Sequence, residues 1–281
     1  MEKSNIHEKI KLLTGNGMWH TQETEDLPSV HLSDGPHGLR KQEEKERQNN
    51  VSLVSTCYPT ASALACSWDV TAAERLGRAV AKEAWNADVA VLLGPGINMK
   101  RSPLCGRNFE YFSEDPFLAG RLGAAYVSAA QGEDVAVSLK HFAANNQETN
   151  RQTANSQIDE RALREIYLSA FEYVVKTARP ATVMASYNRL NGYYACENRH
   201  LLTEILREEW GFDGVVISDW GACADLAKAV KAGMDLEMPD SHGIHARKLK
   251  AALKAGEISE EDIAKAAGRI EKGGCIAAEN Q

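Results

Sequence analysis

The feature that most constrains the fold is a regular alternation of short apolar runs with longer amphipathic stretches. Six runs rich in β-branched or apolar residues are each closed by polar or glycine residues, which predicts buried strands: SVHLSDG, VAVLLGPGIN, VAVSLKHF, TVMASYN, GVVISDWG and GMDLEMP. YPTASALA is a weaker seventh. The stretches between them have apolar residues at helical spacing: TAAERLGRAVAKEAW, PFLAGRLGAAYVSAAQ, DERALREIYLSAFEYVVK and NRHLLTEILREEWG. The alternation predicts an α/β protein with a parallel sheet.

Two architectures fit this order of elements, a closed (β/α)8 barrel and an open doubly wound sheet. No GxGxxG motif follows the first strand, which disfavours a dinucleotide-binding open sheet. A chain of 281 residues has the length at which α/β barrels occur as one domain. We therefore predict a TIM-like (β/α)8 barrel, irregular or incomplete at its start, with residues 1–281 as a single domain.

Composition excludes several classes of function. A net charge of -7 disfavours nucleic-acid and anionic-membrane surfaces, which need a basic footprint. The start of the chain has no signal-peptide h-region and no long uninterrupted apolar run follows, so we expect a cytoplasmic protein with no membrane segment. The six cysteines show neither CxxC pairs nor the His spacing of a zinc site, and no cofactor or metal is predicted.

Two polar segments interrupt the alternation. KQEEKERQNN is strongly charged and is predicted to be a solvated loop. AANNQETNRQTANSQ directly follows a predicted strand and lacks large apolar residues. Long loops of this kind in compact domains are usually lids or binding loops. At the C-terminal end of a strand, the second segment is expected on the active face of a barrel.

Polar or aromatic residues follow most of the apolar runs, and in a barrel these strand ends converge on one pocket. They are Asp34, Lys140, His141, Tyr187, Asn188, Asp219 and Trp220. Taken singly, Asp34 could close a turn before Gly35, and Asp219 could cap a helix starting near Ala222. Together, carboxylates and a Lys-His pair can hydrogen-bond vicinal hydroxyls, and the aromatic rings offer flat faces to a pyranose. The set predicts a sugar-binding pocket.

Six strings resemble, in order, the successive motifs of glycoside hydrolase family 3: SDGPHGLRKQ, NMKRSPLCGRNFEYFSEDP, SLKHFAANNQETNR, MASYNRLNG, VISDWGA and AGMDLEMP. The resemblance extends from about Leu12 to Pro239. It implies the N-terminal barrel domain of a retaining β-glycosidase, most similar to the β-glucosidases, which hydrolyse terminal non-reducing β-D-glucosyl residues.

The resemblance also assigns roles to individual residues. Asp219 matches the catalytic nucleophile, and Trp220 matches an aromatic wall of the pocket. Five more match residues that bind the sugar hydroxyls or support the nucleophile: Asp34, Arg101, Lys140, His141 and Tyr187. Arg107 and Glu110 are expected only to support these residues, and a structural ion pair is the simpler interpretation. Since the nucleophile must be ionised, we expect a cation such as Arg101 or Lys140 to lower its pKa.

A retaining glycosidase also needs a carboxylic acid roughly 5 Å from the nucleophile. In the β-glucosidase branch this is a Glu on a second α/β domain, for which the chain ending at Gln281 leaves no room. The single-domain branch resembling β-N-acetylglucosaminidases uses a His-Asp pair after KHFPGHG, which KHFAANNQETN does not match. We expect a C-terminal α/β domain or a partner chain to supply the Glu, with Glu148 as an alternative within the chain.

Two other functions remain open. One is a non-catalytic carbohydrate-binding or assembly subunit derived from the same fold. The other is an aldolase-like barrel in which Lys140 forms a Schiff base, although the family motifs argue against it. A barrel that carries a second domain is also expected to present an apolar patch near the catalytic mouth, which would favour homo-oligomers.

Overall fold

The structure is a computed structural model that describes residues 6–42 and 51–279. The predicted loop KQEEKERQNN lies largely outside the described residues. Eight strands are present in this part of the chain: β1 (Leu32–Asp34), β2 (Val91–Leu93), β3 (Ala136–Phe142), β4 (Asn155–Ser156), β5 (Thr182–Ala185), β6 (Arg189–Leu190), β7 (Tyr193–Tyr194) and β8 (Val215–Ser218). Five of them form one sheet in the order β1-β2-β3-β5-β8, and every neighbouring pair is parallel.

Helices connect these strands. They are α1 (Ile6–Leu12), α2 (Ala61–Ala65), α3 (Val70–Asn86), α4 (Pro116–Gln131), α5 (Glu160–Ala162), α6 (Ser169–Ala178), α7 (Leu226–Ala232), α8 (Ile244–Lys254) and α9 (Glu260–Glu279). Two segments, Leu163–Tyr167 and His200–Glu209, have π-helical hydrogen bonding. Short 3₁₀ turns occur at Asn108–Glu110 and Ala195–Glu197. The four predicted helical stretches are all confirmed as helical.

The predicted strands are confirmed for five of the seven apolar runs. The prediction of a strand at the weaker run YPTASALA is wrong, because this run contains the start of helix α2. The Thr60 hydroxyl caps the helix by accepting a 3.2 Å hydrogen bond from the Ala63 N–H, and the alanines that follow favour a helix. GMDLEMP forms only isolated bridges, since Leu236 pairs with Ile217, and Glu237 with Thr14. Its pairing is too short to count as a strand.

Single bridges continue the sheet beyond both of its edges. Next to β8 the parallel bridges of Leu236 and Glu237 lead to Thr14, and just before β1 His31 forms an antiparallel bridge with His20. Side chains from the first halves of all five strands meet around one apolar interior. This arrangement is that of a TIM-like barrel, irregular at its start as predicted, without a closed ladder of strands among the described residues.

Burial of the sheet on both faces explains why the strands read as continuous apolar runs. Every residue of β2, β5 and β8 is buried, as expected for parallel strands covered by helices. The helices α3 and α4, and α4 and α6, pack against one another outside the sheet. Within residues 6–42 and 51–279, no helix is both long and apolar enough to cross a membrane.

Candidate active site

Asp219 is the first residue after β8, at the C-terminal end of the sheet. Its backbone N–H donates to the carbonyl of Ala185 at 2.9 Å, which fixes its position beside β5. The side chain is only 9% exposed. Oδ1 accepts a 2.7 Å hydrogen bond from the N–H of Trp220, whereas buried Oδ2 has no hydrogen-bond partner among the described residues. Asp219 therefore keeps one buried carboxylate oxygen available for a ligand.

The alternative role for Asp219 as a helix cap is wrong. Helix α7 begins at Leu226, and its N-cap is Asp225, whose carboxylate accepts hydrogen bonds from the N–H groups of Ala227 and Lys228. Asp225 therefore already satisfies the first N–H groups of this helix. The conformation of the Asp219 side chain is set by the strand end and not by capping.

Burial raises the pKa of Asp219 above its ordinary value. The charges of Arg107 and Lys140 and the hydrogen bond from the Trp220 N–H act in the opposite direction, but the loss of hydration outweighs them. The net shift of this pKa is therefore upward, although the cations lower it. Lys140 does act as expected, and the second cation is Arg107 instead of Arg101.

Asp34 and Lys140 form an ion pair between the ends of β1 and β3. Lys140 Nζ lies 2.7 Å from Asp34 Oδ1, and the lysine side chain is 4% exposed while that of the aspartate is 32% exposed. Burial opposes ionisation of Asp34, but the charge and hydrogen bond of Lys140 outweigh burial and hold its pKa below the ordinary value. With its ammonium group paired in this way, Lys140 is poorly placed to act as a Schiff-base amine.

His141 lies between the cations and the nucleophile candidate. Its Nε2 is 3.0 Å from an Arg107 nitrogen and 3.6 Å from Asp219 Oδ2, and its Nδ1 is 3.1 Å from the Tyr111 hydroxyl. Since guanidinium can only donate, Nε2 accepts from Arg107, and the proton is assigned to Nδ1. Burial, followed by the charges of Arg107, Lys140 and Arg151, lowers the pKa of His141 well below its ordinary value. The imidazole is therefore neutral and leaves Oδ2 of Asp219 unbonded.

The backbone of His141 is fixed as firmly as its ring. The side-chain amide of Asn98 accepts from the His141 N–H at 2.7 Å and donates to its carbonyl at 2.8 Å. Both residues are buried. This double hydrogen bond holds the end of β3 against the loop that follows β2.

Arg107 and Glu110 form the ion pair that the sequence suggested. The guanidinium donates to the Glu110 carboxylate, and both side chains are largely buried. The same guanidinium also contacts His141 and lowers the pKa of Asp219. Arg107 therefore has a more direct place in the site than the predicted supporting role.

Tyr187 and Trp220 form the aromatic part of the site. The Tyr187 hydroxyl donates to the Trp220 carbonyl at 2.8 Å. The Trp220 ring packs against Trp19, with centroids 5.2 Å apart, and its Nε1 donates to the carbonyl of Met18. Burial, and then the Asp219 charge, raise the pKa of Tyr187, so its hydroxyl remains protonated as a donor. Tyr187 thus lies close to Asp219, while the Trp220 ring packs against the segment that contains Met18 and Trp19.

The structure does not bring Arg101 to this group. Arg101 is exposed and donates to the hydroxyl of Tyr167 at 2.9 Å, beside a surface groove that Asn146 and Gln157 also line. The loop after β2 instead directs its neighbour Lys100 inward, where Nζ lies 2.5 Å from the Ser62 hydroxyl. This geometry does not favour a direct contact between Arg101 and a sugar.

The polar loop of residues 143–157 reaches the site as predicted, and it contributes a residue that the sequence analysis missed. The Arg151 guanidinium lies over the Tyr187 ring, 4.4 Å from its centroid, and donates to Glu148 at 2.9 Å. Glu148 also accepts from Asn145 and lies 3.9 Å from Arg107. Polar residues in a loop show no periodic pattern, so the sequence offered only one signal for a role of Arg151 in the site, its position in the loop after β3.

Comparison with known proteins places this geometry in a family. The sequence profile described as "Glycosyl hydrolase family 3 N terminal domain" matches residues 36–272. The chain belongs to glycosyl hydrolase family 3. The matched region contains Lys140, His141, Asp219 and the whole polar loop of residues 143–157, and it begins two residues after Asp34. The resemblance seen in the sequence motifs is confirmed.

Individual relatives of this family 3 chain are longer proteins. It is 51% identical to the thermostable beta-glucosidase B of Acetivibrio thermocellus over 285 residues, covering 100% of this chain but 38% of that protein. It is 50% identical to the exo-alpha-(1->6)-L-arabinopyranosidase of Bifidobacterium longum over 242 residues, 84% of this chain and 32% of that protein. The chain thus spans roughly a third to two-fifths of these relatives.

A solved family 3 structure has the same fold. The crystal structure of a beta-glucosidase from Kluyveromyces marxianus in complex with glucose superposes with a TM-score of 0.94 at 39% identity. The match covers 99% of this chain and 33% of that chain. The α/β architecture described above is therefore the N-terminal domain architecture of the family.

Proposed function

We propose that this chain is the nucleophile-bearing barrel of a retaining β-glycosidase that hydrolyses terminal non-reducing β-D-glucosyl residues. The observation that carries the proposal is the buried, unbonded Oδ2 of Asp219, held at a strand end between cations and aromatic rings. A retaining glycosidase needs a carboxylate oxygen free to form an ester with the anomeric carbon. Family membership supports the same role.

In the proposed first step, Asp219 Oδ2 attacks the anomeric carbon as the bond to the leaving oxygen breaks, and that oxygen takes a proton from a general acid. In the second step, water attacks the anomeric carbon and gives its proton to the conjugate base of that acid, the ester bond breaks, and Asp219 regains its carboxylate. The Asp34–Lys140 pair and the Arg107–His141 contact present donors and acceptors to the ring hydroxyls. Trp220 and Tyr187 cover the apolar ring face.

The general acid is proposed to be a Glu from a C-terminal α/β domain or from a partner chain. The greater length of the relatives is consistent with this source. Within the chain, Glu148 is a poor candidate because its two oxygens face Asn145, Arg107 and Arg151. Its contacts instead suit a residue that positions the two guanidinium groups.

Glucose is the proposed sugar, and the names of two relatives suggest L-arabinopyranose as the main alternative. One relative is named as a beta-glucosidase and another as an L-arabinopyranosidase, at nearly equal identity. A panel of activated aryl glycosides tests the choice: β-D-glucoside, β-D-xyloside and α-L-arabinopyranoside. Fastest turnover of the glucoside supports the proposal, and preference for the arabinoside corrects the sugar while keeping the reaction. Sugar binding without any turnover would support the non-catalytic carbohydrate-binding alternative.

We predict that Asp34→Asn weakens glucose binding by roughly 10- to 150-fold, the equivalent of a charge-assisted hydrogen bond of about 1.5–3 kcal/mol. The variant also leaves the buried Lys140 ammonium without its carboxylate, so the melting temperature should fall as well. Glucose affinity by calorimetry and the melting temperature are measured on the same protein.

Arg269→Gln is the matched control for this stability loss. Arg269 donates to buried Asp235 at 2.7 Å, next to the base of β8, and a second arginine, Arg207, keeps that carboxylate paired. The control should lower the melting temperature and leave glucose affinity unchanged. If Asp34→Asn lowers only the melting temperature, Asp34 is a structural residue and does not contact the sugar.

A further inference from the structure

Three potential metal ligands meet beside the catalytic mouth, outside the sugar site described above. They are Cys223, Glu237 and His245, and their ligand atoms all lie within 4.8 Å of one another. Cys223 lies in the loop after Asp219, Glu237 follows the bridge of Leu236 to β8, and His245 is in the first turn of α8. No motif spacing in the sequence indicated this group, because its three members come from separate elements.

The ligand types select a class of metal. Thiolate and imidazole favour zinc and similar transition metals over Mg²⁺ and Ca²⁺, which prefer all-oxygen sites. In a tetrahedral zinc site, bond lengths of about 2.0–2.3 Å place neighbouring ligand atoms roughly 3.3–3.8 Å apart. The ligand atoms of this group lie within 4.8 Å of one another, and His245 Nδ1 and Glu237 Oε1 are in hydrogen-bond contact, so the side chains must shift by about an ångström to reach that spacing. Three protein ligands with a fourth position for water are a common zinc arrangement.

The three ligands are already gathered by the fold, and the group is accessible from the solvent. Glu237 is 4% exposed in its side chain and accepts a hydrogen bond from His245 Nδ1, while the His245 side chain is 17% exposed. Cys223 is buried. A metal would replace the proton between His245 and Glu237, and would reach the group from the exposed side of the imidazole.

We propose that Cys223, Glu237 and His245 bind one divalent transition-metal ion, with zinc the best match. Binding replaces the thiol proton of Cys223 and the proton shared by His245 and Glu237, and both protons pass to the solvent. The ion joins the loop that carries Asp219 and Trp220 to the first turn of α8. That loop is already tied to the neighbouring segment by the Gly221 N–H, which donates to the Met238 carbonyl at 2.8 Å. The ion therefore braces one wall of the mouth without entering the sugar pocket.

Cobalt(II) provides a direct test, because a thiolate ligand gives it a near-ultraviolet charge-transfer band. The background protein carries Cys57→Ser and Cys66→Ser, whose thiols are exposed, together with Cys275→Ser, so that Cys105, Cys196 and Cys223 are its remaining thiols. Titration is expected to give one cobalt per chain with this band, and zinc should displace it. Cys223→Ala should abolish the band, and His245→Ala should weaken cobalt binding by about 100-fold or more, beyond the usual cost of an outer-shell change.

Cys196→Ala is the matched control, since Cys196 is another buried thiol and is not part of the group. It should keep both the band and the stoichiometry. The proposal is overturned if the background protein shows no band, or if the band survives in Cys223→Ala. The Glu237–His245 contact is then only an ion pair. None of these outcomes depends on turnover, so they are independent of the proposed glycosidase activity.

Discussion

Replacing Asp219 by Asn is expected to lower the rate of hydrolysis of an activated aryl β-glucoside by about 10⁴-fold or more. This is the scale of loss seen when a covalent nucleophile is removed. The amide cannot form the glycosyl ester, yet it has the same shape and can still accept the hydrogen bond from the Trp220 N–H. Initial rates measured with the dinitrophenyl glucoside give the size of the loss.

The matched control is Asp225→Asn in the same loop. Asp225 caps α7, and Asn is nearly as good an N-cap, so both activity and stability should be close to those of the unsubstituted chain. Trapping with a 2-deoxy-2-fluoro glucoside that has a good leaving group should add one sugar to the peptide containing Ser218 and Asp219. A label on any other peptide would falsify the assignment.

Asp219→Asn should also raise the melting temperature, because it removes a carboxylate whose pKa is raised by burial. In the unfolded chain an Asp carboxyl titrates at about pH 3.9. Below that pH the group is neutral in both states, so the advantage of Asn is smallest. As the pH rises through the folded-state pKa, the folded chain must hold a buried charge, and the advantage grows to its full value. Melting curves of both proteins from acid to neutral pH test this, and an advantage that shrinks toward neutral pH would contradict it.

The second large effect concerns the leaving group. If the general acid lies outside this chain, dinitrophenyl β-glucoside should still be hydrolysed, because its leaving group departs without a proton. The alkoxide that leaves cellobiose needs a proton, so cellobiose should be hydrolysed at least about 10²–10⁴-fold more slowly than it would be with a general acid present. The carboxylates close to Asp219 support this expectation, because Asp34, Glu110 and Glu148 are each paired with a cation. Rates on the two substrates are compared in the same buffer.

Azide distinguishes a missing acid from a poor fit of the disaccharide. A small anion needs no general base to attack the glycosyl ester, so azide should accelerate turnover of the dinitrophenyl glucoside and yield glucosyl azide. Efficient cleavage of cellobiose with no azide effect would show that the acid lies within this chain. Glu148→Gln, with Glu110→Gln as its comparison, would then identify it.

Local sequence patterns were sufficient for the framework of the site. Each buried strand is a short apolar run, and the residue that follows it leaves the sheet at the mouth, so Asp34, Lys140, His141, Tyr187 and Asp219 could be placed from the sequence. The N-cap of α2 by Thr60 was missed because an apolar, alanine-rich segment of this length suits a strand or a helix equally until its packing is known.

Contacts between distant segments decided what local patterns could not. Arg101 and Arg107 are both arginines in one motif, and only the path of the loop directs the second toward His141 and the first toward Tyr167. The pKa of Asp219 depends on the balance between burial and two cations, Lys140 from β3 and Arg107 from the loop after β2, which no single stretch of sequence contains. The group of Cys223, Glu237 and His245 likewise exists only after folding.

The sequence by itself determined the order of elements and the chemistry at each strand end, because both are local. The tertiary structure alone decided which of those groups meet, because charge interactions and metal geometry depend on distances through space.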